Sequence, residues 1–556
     1  MSLISPFHPP QRITPRAAKL LDRHSLALAY TPALGRHITA KRDFRAGELV
    51  LASKPYAAVA DTDGPAAGRC SECFQAQDED ADVAAAAEMK RCAQCRRAQY
   101  CSVECQRAAW HGGHKAECAA WVRGLQPYTK DGVLDDDPVA INEVNLAARI
   151  IDARMSQVAG SSRTLPPPPP PSQDDLESPT FEDVALMLSN ALPLARANAK
   201  RYASNAELAA LLATRYSGGF GPDFDKLTPE LLGEEGRLFS TRPEQFMLHL
   251  LCVMQCNNFA IHNDILFARG SGIYPVAALV NHACVANCVL TYDLKSKRQF
   301  IRAIRDIRAG EEITHAFTDA ASPTVVRKAH LKSLYAFDCN CSRCNDSDAA
   351  KELDAELVAT RPIDTIPAYF KRFRLERLAG LPSLLERATR DVPKVSSPAD
   401  VEALLQASRS WLQEGMDPRL PTARAIVLLV TAWAVRQALL GDYNLELFES
   451  NVKIFGMALL WREEALSERQ RDLALVSGLR NVLVDSARHV IRVYQRIYPA
   501  NHPLLGLQWF SLGDIYSSDN DGARAKDAHA RALAILTITH GPTNPLVNSL
   551  RRLVHE

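Results

Sequence analysis

A chain of 556 residues is long enough to fold as several domains, each with its own core. A formal net charge of +1 beside 47% hydrophobic residues excludes a global bias toward nucleic acid or membrane surfaces, so any basic patch has to be local. The longest apolar run, Ala425 to Val435, falls far short of the ~20 residues that span a bilayer. At the N-terminus, MSLISPFHPPQR carries prolines where a signal peptide would have its apolar stretch, which predicts a soluble intracellular protein.

Residues 34–60 read as two strands around an RAGE turn. A cysteine cluster follows. Of fourteen cysteines, seven lie between Cys70 and Cys118 and three between Cys339 and Cys344, and without a secretory signal such clustering favours metal over disulfides. Cys70-x2-Cys73, Cys92-x2-Cys95, Cys101-x3-Cys105 and His114-x3-Cys118 supply eight soft or imidazole ligands, enough for two tetrahedral zinc sites. Spacing alone does not say which pairs share an ion. The acidic insertion QDEDADVAAAAE between Cys73 and Cys92 is expected as an exposed loop, because unpaired buried carboxylates are prohibitive. Lys90, Arg91, Arg96, Arg97, Arg107 and Lys115 make this segment locally basic, read here as a solvated face in preference to a nucleic-acid contact.

From about residue 125 to 245 the pattern is helical (INEVNLAARIIDAR, FEDVALMLSNALPLARANAK), interrupted by LPPPPPPSQ. That donor-free stretch is an exposed polyproline insertion, either an idle loop or a partner's target. Residues 273–317 return to strands in CVLTYDL, QFIRAI and EEITHAF, separated by KSK and DIRAG. Past residue 350 the chain is helical. Near its end, WFSLGDIY sets Trp509, Leu512, Gly513 and Tyr516 at the spacing of a tetratricopeptide first helix, with Ala525 and Ala532 as the small residues of the second. His529 stands where a large apolar residue is expected, and a plain helical bundle is the alternative.

CAQCRRAQYCSVECQRAAWHGGHKAEC resembles a MYND zinc finger, and its place between strand segments resembles the SET-and-MYND (SMYD) lysine methyltransferases. The resemblance runs from about residue 30 to the end. It implies interleaved ligands: Cys70, Cys73, Cys101 and Cys105 on one ion, Cys92, Cys95, His114 and Cys118 on the other. YPVAALVNHACVANC resembles the SET core motif, with Ala283 in place of the usual serine and VAN in place of DPN. The resemblance puts Asn281 and His282 on S-adenosylmethionine and joins Cys284 to Cys339, Cys341 and Cys344 in a post-SET zinc, giving three ions in all. The remaining Cys252, Cys256 and Cys288 read as small buried hydrophobes.

By the same resemblance Asn257 in CNNFAI contacts the cofactor and Phe259 lines the lysine pocket, while LYAFDC supplies Tyr335 for the channel and Phe337 beside the adenine. Gly35 fits the family's glycine turn at the cofactor, but Arg36 and His37 depart from it. Phe317 stands where the family has a catalytic tyrosine, which implies slow transfer or an altered product number.

The implied fold is α+β: a split β-rich SET fold with an inserted MYND finger and helical insert, then an α-helical TPR-like C-terminal domain. Its expected boundaries are 25–66 and 246–321 for SET, 67–120 for the finger, 121–245 for the insert, 322–346 for the post-SET segment and 347–556 for the helical domain. The implied activity is S-adenosylmethionine-dependent protein-lysine methylation of histone or non-histone proteins. The alternative is a catalytically inactive scaffold that recruits partners through the finger and the helical tail. Partners implied are proteins with a target lysine and, through the finger, proline-rich peptides, with neither direct nucleic-acid binding nor membrane contact, for a monomer of cytoplasm and nucleus.

Overall fold

The computed structural model describes residues 13–61, 68–75, 89–120, 122, 138–158, 175–187, 189, 191–216, 243–369, 395–467 and 473–555. The acidic insertion and the polyproline segment lie outside these residues. The chain forms two compact units, one running to Phe317 and including Lys328–Cys339, the other formed by Thr318–Arg327 and the chain from Asn340 onward.

The first unit opens with a helix, Pro15–Arg23, that sequence reading did not anticipate. The Thr14 hydroxyl accepts from the Ala17 amide, and Pro15 sits in the first turn, where its missing amide costs nothing. Leu20 and Leu21 then enter the core. The strands are β1 (Leu26–Thr31), β2 (Gly35–Ala40), β3 (Leu49–Ser53), β4 (Ala57–Ala60), β5 (Lys90–Arg91), β6 (Gln99–Tyr100), β7 (Asn258–His262), β8 (Ala268–Ile273), β9 (Asn281–His282), β10 (Cys288–Asp293), β11 (Arg298–Ala303) and β12 (Thr314–His315). Residues 34–60 thus hold three strands instead of the two expected, because Pro55 interrupts the run between β3 and β4.

β1 and β2 form an antiparallel hairpin closing at Thr31 opposite Gly35. β10, β11 and β3 make one antiparallel sheet, and β4, β8 and β7 another. On β11 the buried positions alternate (Gln299, Ile301, Ala303), the period of a half-buried strand. Their shared core gathers Ile38, Leu51, Phe259, Tyr274, Ile301 and Ile313. β9 and β12 pair in parallel, with Thr314 opposite Asn281 and His315 opposite His282. Of the expected strand EEITHAF only these two residues are strand, since the preceding residues bond elsewhere: Glu312 bridges to Thr39, and the Ile313 amide donates to the Ile38 carbonyl. A second core is shared by the cysteine cluster and helices Pro138–Val158, Ala199–Tyr216 and Pro243–Asn257. The expected helical stretch from Phe181 is two short helices, Phe181–Ala185 and Ala191–Ala197.

In the second unit consecutive helices pack as antiparallel neighbours: Pro398–Gly415 with Thr422–Leu439, Leu445–Ser467 with Leu473–Ile497, and Pro503–Ser518 with Gly522–His540. The apolar run Ala425–Val435 is the buried middle of the second of these, where Trp433 donates to Asn451 at 2.9 Å. Gly513 meets the His529 ring so closely that a Cβ would lie 2.2 Å from its Cδ2. The buried imidazole thus replaces the expected apolar knob and contacts Asp514 through Nε2 at 3.0 Å. This is an α+β chain with a tetratricopeptide-like helical C-terminal region. Among the described residues no helix is long and apolar enough to cross a membrane.

Candidate active site and metal centres

Three sets of four donors converge, and within each all ligand atoms lie within 4.8 Å of one another: Cys70, Cys73, Cys101 and Cys105; Cys92, Cys95, His114 and Cys118; Cys284, Cys339, Cys341 and Cys344. In the first, the Cys101 sulfur lies 3.6 Å from both Cys73 and Cys105. In the second, Cys92 and Cys118 are 3.8 Å apart and His114 Nε2 faces the Cys95 sulfur at 3.7 Å. Compact sets of four thiolates, or of three thiolates and an imidazole, suit tetrahedral zinc.

The outer partners fit the same chemistry. His114 turns Nδ1 to the Glu117 carboxylate at 3.3 Å, leaving Nε2 for the cluster. Burial would raise the Glu117 pKa, but Arg149 beside it, together with His114, outweighs that and holds it at about 2. Arg149 also donates to the Ala58 carbonyl at 2.5 Å, tying the finger to β4. Beside the third set, fully buried Arg327 donates to the Cys344 sulfur at 3.3 Å and the Arg343 carbonyl at 2.8 Å, placing a cation against thiolates. Glu117, Arg149 and Arg327 carry no spacing signal, and sequence reading missed them. Lys90, Arg91, Arg96, Arg107 and Lys115 are exposed on the finger.

The other assigned residues fall in two groups. The Asn281 amide nitrogen donates to the Leu34 carbonyl at 3.1 Å and the Glu312 carboxylate at 3.0 Å, fixing β9 to the β1–β2 turn. His282 Nδ1 accepts from the Phe317 amide at 2.9 Å, so Nε2 carries the proton and points it at the Cys284 sulfur, 3.2 Å away. Around this imidazole lie Phe317 (5.2 Å between centroids) and Phe337 (6.0 Å), and Phe317 lies 4.9 Å from Tyr335. Burial pushes the Tyr335 hydroxyl up to about 12, so it remains a neutral phenol. Gly35, at φ +67°, has open space where a Cβ would stand. An open cleft touches Arg36, Asn257, Ala278 and Leu279, but not His282. Asn257 folds its amide back onto the Val253 carbonyl at 2.6 Å. Phe259 is buried against Tyr274 and His315.

Two residues at this site were not anticipated. Asn287, 1% exposed, donates to the Glu312 carbonyl at 2.7 Å and accepts from the Thr314 amide at 2.8 Å, stapling β12 to the turn that follows β9. Its signal was present as the last letter of VAN. His315, 6% exposed, lies 4.7 Å from Phe317 and 5.5 Å from Phe259. Its Nδ1 approaches the Ala316 carbonyl at 3.3 Å, while Nε2 has no hydrogen-bond partner among the described residues. A buried unmet polar atom of this kind costs roughly 1–3 kcal/mol.

Cys252 and Cys288 are fully buried, and burial raises both thiols, Cys252 to about 11. Cys256 lies half-buried on helix Pro243–Asn257.

Residues 35–318 match the SET domain family model. Curated relatives align almost end to end. The histone-lysine N-methyltransferase ASHR1 of Arabidopsis thaliana is 24% identical over 97% of this chain and 96% of its own length. The N-lysine methyltransferases SMYD2 of Gallus gallus and Homo sapiens are each 24% identical over 94% of this chain, and over 95% and 96% of their own lengths.

Proposed function

Because this chain belongs to the SET-domain family, in its SET-and-MYND branch, we propose that it is a protein-lysine N-methyltransferase that takes its methyl group from S-adenosylmethionine. The observation that carries the reading is the parallel pairing of β9 with β12, which sets His282 beside Phe317, itself packed against Tyr335. When bound, S-adenosylmethionine supplies a methyl group on a sulfonium.

Gly35, Asn257, Asn281, His282 and Phe337 are the residues proposed to hold it. Gly35 leaves room for a close approach, and Asn257 faces the adjoining cleft. Phe259, Phe317 and Tyr335 are proposed to line the lysine stem, and the neutral Tyr335 hydroxyl to orient the nitrogen. The nucleophile has to be the free amine, although an exposed lysine has a pKa of about 10.4. An apolar aromatic wall disfavours the ammonium form and excludes water from the reacting atoms. Positioning therefore carries most of the acceleration. Phe317 keeps the wall and drops one hydroxyl contact, an expected loss of about 1–3 kcal/mol in transition-state stabilisation. Zinc in the three donor sets is proposed to be structural, since four protein ligands leave no open position.

The competing reading, a silent scaffold recruiting partners through the finger and helical tail, draws on Phe317 and Ala283. Mass spectrometry of a proteome incubated with the purified protein and methyl-labelled S-adenosylmethionine separates the two. Label on lysine ε-nitrogens is expected, whereas cofactor binding with no labelled lysine leaves only the scaffold.

A further inference from the structure

Within the aromatic site every tyrosine oxygen behind Phe259 is engaged. Tyr274 donates to the Lys297 carbonyl at 2.6 Å, and the Tyr292 oxygen accepts from Gln299 at 3.0 Å. His315 is the exception. It lies two residues before Phe317, and its ring packs against the Phe317 ring with centroids 4.7 Å apart. It also contacts Phe259, so it lies between two residues proposed as walls of the lysine channel. With Nδ1 turned to the Ala316 carbonyl as donor, Nε2 is left with a bare lone pair and no partner in the described protein. Native structures rarely leave such an atom unmet without a use for it.

We infer that His315 Nε2 is a hydrogen-bond acceptor for the ε-amine of the substrate lysine, taking the polar role that Phe317 cannot fill. The inference rests on the methyltransferase reading. Burial lowers the His315 pKa to about 4, so the ring is neutral and its acceptor available at neutral pH. Accepting an N–H from the neutral amine turns the nitrogen lone pair toward the methyl group. The nitrogen–carbon bond then forms as the sulfur–carbon bond breaks. The sulfur keeps the bonding pair as a thioether, and the methylammonium product later releases a proton to solvent. Each supported attack needs an N–H on the neutral nucleophile. Unmodified and monomethylated lysine have one, and dimethylated lysine has none. The expected final product is therefore dimethyl-lysine.

Two measurements test this on the full chain. In the first, protein labelled with 15N-histidine and saturated with S-adenosylhomocysteine is titrated with n-butylamine, a stand-in for the lysine head group. One imidazole Nε2 resonance, absent from His315→Phe, is expected to shift saturably. An unmoved His315 resonance overturns the inference. In the second, tritium transfer from S-adenosylmethionine into lysines of a cell extract is compared among variants. His315→Phe is expected to lower incorporation at least tenfold, His315→Gln to recover part of it, and Phe317→Tyr combined with His315→Phe to restore it. Wild-type incorporation matched by His315→Phe, or trimethyl-lysine as the main product, overturns the role of His315 and spares the enzyme. No incorporation by wild type removes the methyltransferase reading instead, and the butylamine titration then decides on His315 as an amine acceptor by itself. Should His315→Phe fail to fold, His315→Gln carries both comparisons.

Discussion

His282 occupies a position that the motif reading describes only in part. The resemblance assigns it to the cofactor largely through its backbone, and both ring nitrogens are engaged inside the protein, one with the Phe317 amide and one with the Cys284 sulfur. The imidazole is thus a strut between the aromatic wall and a candidate metal ligand, and any cofactor contact is left to its backbone. Glu117 has a comparable duty at the second cluster, where it fixes the His114 tautomer while Arg149 holds its charge. Glu117→Gln should lower zinc affinity of that cluster by about 10- to 100-fold. Competition with a graded series of chelators should show one ion leaving early while the Cys70 set is retained; simultaneous loss would remove Glu117 from this role. The ligands of the finger were legible because two- and three-residue spacings are local facts of the chain, whereas Cys284 and the division of ligands among ions came only from the family resemblance. Glu117, Arg149 and Arg327 were not, because an ordinary charged residue gains its meaning from a neighbour brought in by tertiary packing.

β9 and β12 are each two residues long and could not stand alone as a sheet. Asn287 supplies what their length does not, meeting the backbone of Glu312 and Thr314 from its side chain. Asn287→Ala strands buried backbone groups and should cost about 2 kcal/mol or more of stability. The urea midpoint should fall, and an unchanged midpoint would show that β12 is held by other contacts. The C-terminal hairpin offers a separate check. Gly513→Ala drives a methyl into the His529 ring, an overpacking cost of about 1–3 kcal/mol. Adding His529→Ala should recover most of that loss, and simple additivity in a double-mutant cycle would contradict the packing described.

Sequence pattern served these elements unevenly. β10 and β11 announce themselves as short runs of β-formers bounded by KSK and DIRAG, and the last hairpin by its small residues. The helix at Pro15 went unread although Thr14-Pro15 is a start signal, since the prolines just before it were weighed only against a signal peptide. The pairing of β9 with β12 joins residues over thirty positions apart in the chain, and no local period encodes it. His315 was therefore invisible as a site residue, sitting in EEITHAF as one more strand position.

Across the whole molecule, eleven cysteines and one histidine are gathered into three compact sets. Metal content is therefore expected to be three zinc ions per chain by elemental analysis. Because zinc bound only by the folded state stabilises it, stripping the metal should lower the melting temperature. Cys339→Ser should reduce the count to two and leave the finger's ions in place; two ions in the wild type would remove the third site. The decisive titration is calorimetric, with S-adenosylmethionine added to the zinc-loaded full chain and to Asn281→Ala with its zinc count verified. The wild type should bind one equivalent and the variant at least tenfold more weakly. Absence of binding by the zinc-replete wild type, or equal affinity of the two proteins, would mean that β9 does not hold a sulfonium donor.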